Sequence, residues 1–175
     1  MSRIIRARSL GHGGTYHSIP VYSLVSAGGP FRDNPDARLL GRIHPPENLK
    51  SLNPDYFVVL VEGHSMEPII LSGSYCLLRF FVPGSRSGRT VLVEERKIAE
   101  CAYTLKRYVR RPPSRDEATA RGPIFLESIH RDQPDIEVEE DAESQDQRYA
   151  VIAEYAQVLR PPLDWVTPAF DSFVE

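Results

Sequence analysis

From Tyr56 onward the chain alternates between short apolar runs and turn-forming residues. Tyr56-Phe57-Val58-Val59-Leu60-Val61-Glu62 is continuous and rich in β-branched and aromatic side chains, and it stops at Gly63. That pattern predicts a buried strand. Ser65–Leu71 reads as a turn or a single helical turn. Ser74–Val82 predicts a second strand, Arg89–Glu95 a third, Ala99–Val109 a fourth and Ile124–Ile129 a fifth. Within the fourth, Thr104, Lys106 and Tyr108 share one face, while Tyr103, Leu105 and Arg107 share the other. Val151–Leu159 fits two periods. Val151, Ile152, Tyr155, Val158 and Leu159 follow helical spacing, whereas valine and tyrosine favour a strand; the local pattern by itself predicts a helix.

The segments outside these runs read differently. Residues 1–18 carry Arg3, Arg6 and Arg8 and then Gly11, Gly13 and Gly14, with little to bury, and read as an unstructured leader. Residues 19–25 form a short extended segment, followed by a break at Ala27-Gly28-Gly29-Pro30. Residues 31–55 read as an irregular loop laid over a surface, with five prolines counted from Pro30 to Pro54. Pro112–Gly122 is a polar loop. Asp135–Asp146 holds seven acidic residues and reads as a solvated loop. Residues 161–175 read as a loosely packed tail. No internal repeat is visible.

Composition narrows the class. The 175 residues suffice for one domain, and 15 prolines with 11 glycines favour short strands and turns over a helical bundle. No apolar run approaches the roughly 18 residues of a membrane span, and no secretory signal is expected. A net charge of −3 supplies no general attraction for nucleic acid. Cys76 and Cys101 are too few for a disulfide scaffold, and no Cys/His spacing resembles a metal site, so neither metal nor cofactor is expected. A reducing cytoplasm is the expected compartment. Cys76, in an apolar run, reads as a buried residue rather than a reactive one.

Two features carry candidate chemistry. Gly63-His64-Ser65-Met66-Glu67-Pro68 follows directly on a buried strand. Ser65 there is either the cap of a helical turn or an exposed hydroxyl whose neighbouring backbone N–H groups, those of Ser65 and Met66, could receive an oxyanion. The second feature is Lys106, a lysine inside a predicted strand and one of only three in the chain with Lys50 and Lys97. It is either an edge residue with its ammonium in water or a desolvated amine. Desolvation lowers a lysine's pKa, and a neutral amine can take a proton from a serine. His12, His17, His44 and His130 are scattered, and His64 adjoins Ser65 in sequence, which suits a rim residue better than a base.

The Gly-His-Ser-Met-Glu-Pro run, then Ile70 and Ser72-Gly73, then Thr104-Leu105-Lys106-Arg107, resembles the self-cleaving LexA-type serine–lysine peptidases. That family includes the LexA repressor, phage repressors and the UmuD subunit of a mutagenic repair polymerase. The 41 residues from Ser65 to Lys106 are similar to the family's interval. The resemblance covers about residues 19–160 and implies Ser65 as nucleophile and Lys106 as base. It also implies a cleavage site upstream, and Ala27-Gly28, 37 residues before Ser65, has the Ala-Gly form. His64 departs from the aspartate that many members carry.

The resemblance implies a mainly β fold: a strongly bent, antiparallel, partly barrel-like domain with an extended N-terminal arm. It turns the expectation for Val151–Leu159 from helix to strand. The expected organisation is an arm of residues 1–27 released by cleavage, a peptidase domain over 28–160 and a tail over 161–175. With 26 residues before Ala27, no helix-turn-helix unit is expected, and the layout is nearest to the polymerase subunit. Self-cleavage in a DNA-damage response, homodimerisation, and contact with a recombinase filament on single-stranded DNA or with a repair polymerase are further implications. Two other readings stand beside it: a non-catalytic β interaction module of a repair or regulatory complex, and a peptidase acting on other chains.

Overall fold

The computed structural model describes residues 18–24, 39–49, 55–80, 84–96, 101–113, 122–138 and 148–166. Among the described residues nine strands form one sheet: β1 (Ile19–Ser23), β2 (Leu39–Ile43), β3 (Tyr56–Leu60), β4 (Tyr75–Phe80), β5 (Thr90–Arg96), β6 (Cys101–Arg110), β7 (Ile124–Glu127), β8 (Ile136–Val138) and β9 (Tyr149–Leu159). Their order is β2-β1-β3-β4-β9-β5-β6-β7-β8. The mainly β expectation holds. The sheet is mixed rather than wholly antiparallel, because β1 runs parallel to β3, and among the described residues its end strands β2 and β8 do not pair with each other.

The five strands expected between Tyr56 and Ile129 are all present, with ends shifted by a few residues. Val151–Leu159 lies within β9, as the family resemblance implied and the local period did not. The physical reason is pairing. The N-terminal part of β9 bonds to β5 (Tyr149↔Glu95 through Glu154↔Val91) and the C-terminal part to β4 (Ala153↔Phe80 through Leu159↔Tyr75). An 11-residue strand that satisfies backbone groups on both sides outweighs a weak helical period. Register shifts interrupt β4 at Leu77/Leu78 and β5 at Leu92/Val93 where they face β9. Bulges of this kind bend a sheet and sharpen its twist.

Other expectations need correction. Residues 31–55 were expected to be irregular, yet β2 forms inside them, paired with β1. Asp135–Asp146 begins with β8, held on β7 through Ile136↔Leu126 and Val138↔Ile124. The start of the C-terminal tail is not loose. His44 N donates to Asp164 O at 2.7 Å, and Val166 N donates to Arg42 O at 2.8 Å, which bridges Ile43 to Trp165 along the outer side of β2. Gly41 is what lets the Trp165 ring approach: a Cβ there would sit 3.0 Å from Cζ3.

Apolar side chains fill both faces of the sheet. One cluster gathers Phe57, Val59, Met66, Ile70, Cys76, Leu78, Leu92, Tyr103, Leu105 and Ile152. A second gathers Val21, Ile43, Val58, Leu77 and Leu159. A third gathers Val91, Val93 and Leu126, with Tyr108 packed against it. Phe57 is fully buried, stacked on Phe80 with centroids 4.1 Å apart and edge-on to Tyr22 at 6.0 Å. Glu94, also buried, accepts from Arg96 Nε and from the Tyr103 hydroxyl, each at 2.9 Å.

Phe57→Ala should cost about 3–5 kcal/mol in urea denaturation, the range for emptying a large aromatic site. Ile69→Ala, at a residue 65% exposed, should change stability by less than about 0.5 kcal/mol. Similar losses for the two variants would contradict the placement of the core.

Candidate active site

Ser65 stands in the loop that joins β3 to β4. The loop's neck is closed by Val61 N to Ser74 O at 2.9 Å and Gly73 N to Val61 O at 2.8 Å. Inside the neck the chain makes one tight turn: Glu67 N donates to His64 O (3.1 Å), and Ile69 N and Ile70 N donate to Met66 O (2.9 and 3.0 Å). Met66 and Ile70 are 2% and 1% exposed and anchor the turn in the core. The Met-x-x-x-Ile spacing therefore plants one side of the turn and leaves Ser65 at its rim. Gly63 enters the turn with φ of 112° and Gly73 leaves it with φ of 84°, values that suit glycine.

The amides of Ser65 and Met66 donate to no acceptor among the described residues, whereas the later amides of the turn are bonded. Backbone N–H groups beside a serine hydroxyl are the kind of donor that an oxyanion can use. His64 is on the rim, exposed, with Nδ1 2.9 Å from Glu67 Oε1. Glu67 also accepts from Ser72 N at 3.3 Å. The bond to His64 and then the Ser72 amide hold the Glu67 carboxyl below its ordinary range. His64 and Glu67 thus brace the loop and do not touch the Ser65 hydroxyl.

Across from the loop runs β6. Ser65 Oγ donates to Leu105 O at 3.1 Å and lies 3.3 Å from Thr104 Oγ1. Thr104 and Lys106 point to the same side of β6, about 7 Å apart along the strand. Lys106 is 5% exposed. Its neighbour across the β5–β6 ladder is Val91, which with Val93 and Leu126 forms an apolar cluster. The reading of Lys106 as an edge residue in water is therefore wrong: β6 lies between β5 and β7. Burial pushes its pKa down from the ordinary lysine value, and the charge of Asp135 pulls weakly the other way.

The amine donates to Ser128 Oγ, while the Ser65 hydroxyl bonds at Thr104 and Leu105, the residues just before Lys106 on β6. Ser128 was missed in the sequence. The signal was the register: Arg107↔Glu127 is the last β6–β7 pair, and one further step sets Ser128 opposite Lys106. The following residues reach the nucleophile too, because Ile129 N and His130 N both donate to Ser65 O, at 2.8 and 3.1 Å. Ala27 and Gly28 lie outside the described residues. Cys76 is fully buried, and burial pushes its thiol up to about 12, which makes it a packing residue. Among the described residues no helix is long and apolar enough to cross a membrane.

Burial of Lys106 has a thermodynamic signature. Between its lowered native pKa and the ordinary value near 10.4, the unfolded chain binds a proton that the native chain does not. Stability therefore rises with pH across that interval. Lys106→Met keeps the stem and removes the titration. The stability of the wild type relative to Lys106→Met should climb with pH below the ordinary lysine value of about 10.4 in urea denaturation. A flat difference would mean that the ammonium stays hydrated in the native protein.

No curated protein matches the chain. A family model described as Peptidase S24-like matches residues 20–154. The matched stretch starts in β1, ends within β9 and contains both the Ser65 loop and Lys106 on β6. The chain therefore belongs to the Peptidase S24-like family, that of the LexA- and UmuD-type peptidases.

Proposed function

We propose that the protein is a self-cleaving serine endopeptidase that cuts its own Ala27-Gly28 bond with Ser65 as nucleophile and Lys106 as base. The observation that carries this reading is the side-chain arrangement on β6. The Ser65 hydroxyl rests on Thr104 and Leu105, and the buried, pKa-lowered amine of Lys106 stands on the same face two residues further along. Family membership supports serine-peptidase chemistry at that place.

The steps follow from the groups present. The neutral amine of Lys106 turns its lone pair to the Ser65 hydroxyl and takes the proton. Ser65 Oγ bonds to the Ala27 carbonyl carbon, and the carbonyl oxygen takes the negative charge facing the amides of Ser65 and Met66. The C–N bond to Gly28 breaks, the Lys106 ammonium returns its proton to the departing amine, and an ester joins Ala27 to Ser65. Water, deprotonated by Lys106, then attacks the ester carbonyl, the bond to Ser65 Oγ breaks, the Lys106 ammonium returns the proton to Ser65 Oγ, and residues 1–27 leave. A substrate on the same chain has a high effective concentration, so no tight pocket is required. Small residues at 27 and 28 suit entry of a backbone into a narrow cleft. On the family resemblance, cleavage belongs to a DNA-damage response, triggered by a recombinase filament on single-stranded DNA and acting in a homodimer or beside a repair polymerase.

Because the lysine must be uncharged, cleavage followed by intact mass should accelerate from neutral to alkaline pH, with a midpoint below the ordinary lysine value of about 10.4. A rate that is flat or falls on folded protein would remove Lys106 as base. Ser65→Ala and Lys106→Ala should stay folded and lose at least about 1,000-fold in rate, as paired catalytic groups do. Continued release of a fragment beginning at Gly28 from either variant would refute the assignment. Mixing wild type with Ser65→Ala separates cutting within one chain from cutting between chains.

A further inference from the structure

The proposed steps give no role to Ser128. Ser128 follows directly on β7, and the β6–β7 register sets it opposite Lys106. Its hydroxyl oxygen accepts the Lys106 amine. The two residues after it fasten the backbone of Ser65 through Ile129 N and His130 N. One three-residue segment thus holds the base by its side chain and the nucleophile by its carbonyl.

A neutral lysine amine has two N–H donors and one lone pair. As a base it must aim the lone pair at Ser65 Oγ–H, and in a site 5% exposed to water a donor needs a protein acceptor. The four-carbon stem is flexible and does not aim the head by itself. We propose that Ser128 is a positioning residue, whose hydroxyl oxygen accepts one N–H of Lys106 and thereby orients the amine for proton transfer from Ser65. The proposal rests on the serine–lysine reading above.

Among the described residues, this hydroxyl is the hydrogen-bond partner of the Lys106 amine. β5 presents Val91 and Val93. Glu127 and Asp135 are both taken up by Arg111 Nη2, at 2.9 and 2.8 Å. His64 and His130 flank the Ser65 turn, with His64 bonded to Glu67 and His130 3.9 Å from Asp132. A hydroxyl acceptor binds an ammonium more strongly than an amine. Ser128 therefore favours the charged form slightly, and its loss has two separable effects. The limiting rate falls because the amine is no longer aimed, and the titration midpoint moves to lower pH because the charged form loses its acceptor.

Two measurements test this. Self-cleavage rates against pH should show Ser128→Ala with a limiting rate about 10- to 100-fold below wild type and a lower midpoint. Ser128→Cys keeps the volume but accepts poorly, and should behave like Ser128→Ala. Ser128→Thr restores the hydroxyl and should recover most of the rate. With only three lysines in the chain, 13Cε-lysine NMR follows Lys106 directly, assigned by its loss in Lys106→Met. Its midpoint should drop in Ser128→Ala and Ser128→Cys and return in Ser128→Thr. A limiting rate and midpoint unchanged in Ser128→Ala, or a Ser128→Thr no better than Ser128→Ala, would overturn the role while wild type still cleaves. A wild type that stays whole at every pH defeats the peptidase reading, and a Lys106 midpoint unmoved by Ser128→Ala then also rejects the lysine–serine bond.

Discussion

An ammonium group cannot enter a packed sheet without losing some of its hold on its proton, and this fold makes that happen at one place. Lys106 lies on β6, flanked by β5 on one side and β7 on the other. Val91, Val93 and Leu126 pack on that face. The same burial that costs stability at neutral pH is what prepares a lysine for base chemistry. Pairing with a carboxylate would lower the cost of burial and also hold the proton. Asp135, whose charge reaches Lys106, and Glu127 instead bind Arg111.

The proposed nucleophile, Ser65, comes from a distant part of the sheet. Ser65 sits on the β3–β4 connection, and Lys106 belongs to the β5–β6–β7 part. β9 lies between them, bonded to β4 along one stretch and to β5 along another. Register shifts on both partners let one long strand serve both halves while the sheet bends. The bend is not left to hold the site by itself. Ile129 and His130 clamp the Ser65 carbonyl, and Ser65 Oγ reaches Leu105 O. Ser65 is thus tied to β6 and to the end of β7, the two segments that also carry Lys106 and Ser128.

Much of this was legible before folding. The apolar runs 56–62, 74–82, 89–95, 99–109 and 124–129 predicted strands because their side chains are β-rich and bounded by turn residues. The alternation in Tyr103–Tyr108 sorted Thr104 and Lys106 onto one face without coordinates. Three segments were not legible. Leu39–Ile43 contains Gly41 and lies among prolines, so its strand state depends on β1 and on Trp165, which are far away in sequence. Ile136–Val138 is too short to stand out from an acidic run. Trp165 looks like tail composition until its contact with Tyr75, 6.2 Å between ring centroids, is known.

The chain's own order of residues determined the strand-forming runs, the turn around Ser65, the scarcity of lysine and the face shared by Thr104 and Lys106. These are local matters of side-chain shape, spacing and chirality, which act over a few residues. Tertiary structure alone decided that Lys106 is interior rather than at an edge and that Ser128 meets its amine, and backbone pairing is what holds Val151–Leu159 extended against its local helical period. Each of those depends on which strands become neighbours. Neighbours are chosen by backbone pairing and burial across tens of residues, and no short window of sequence contains that information.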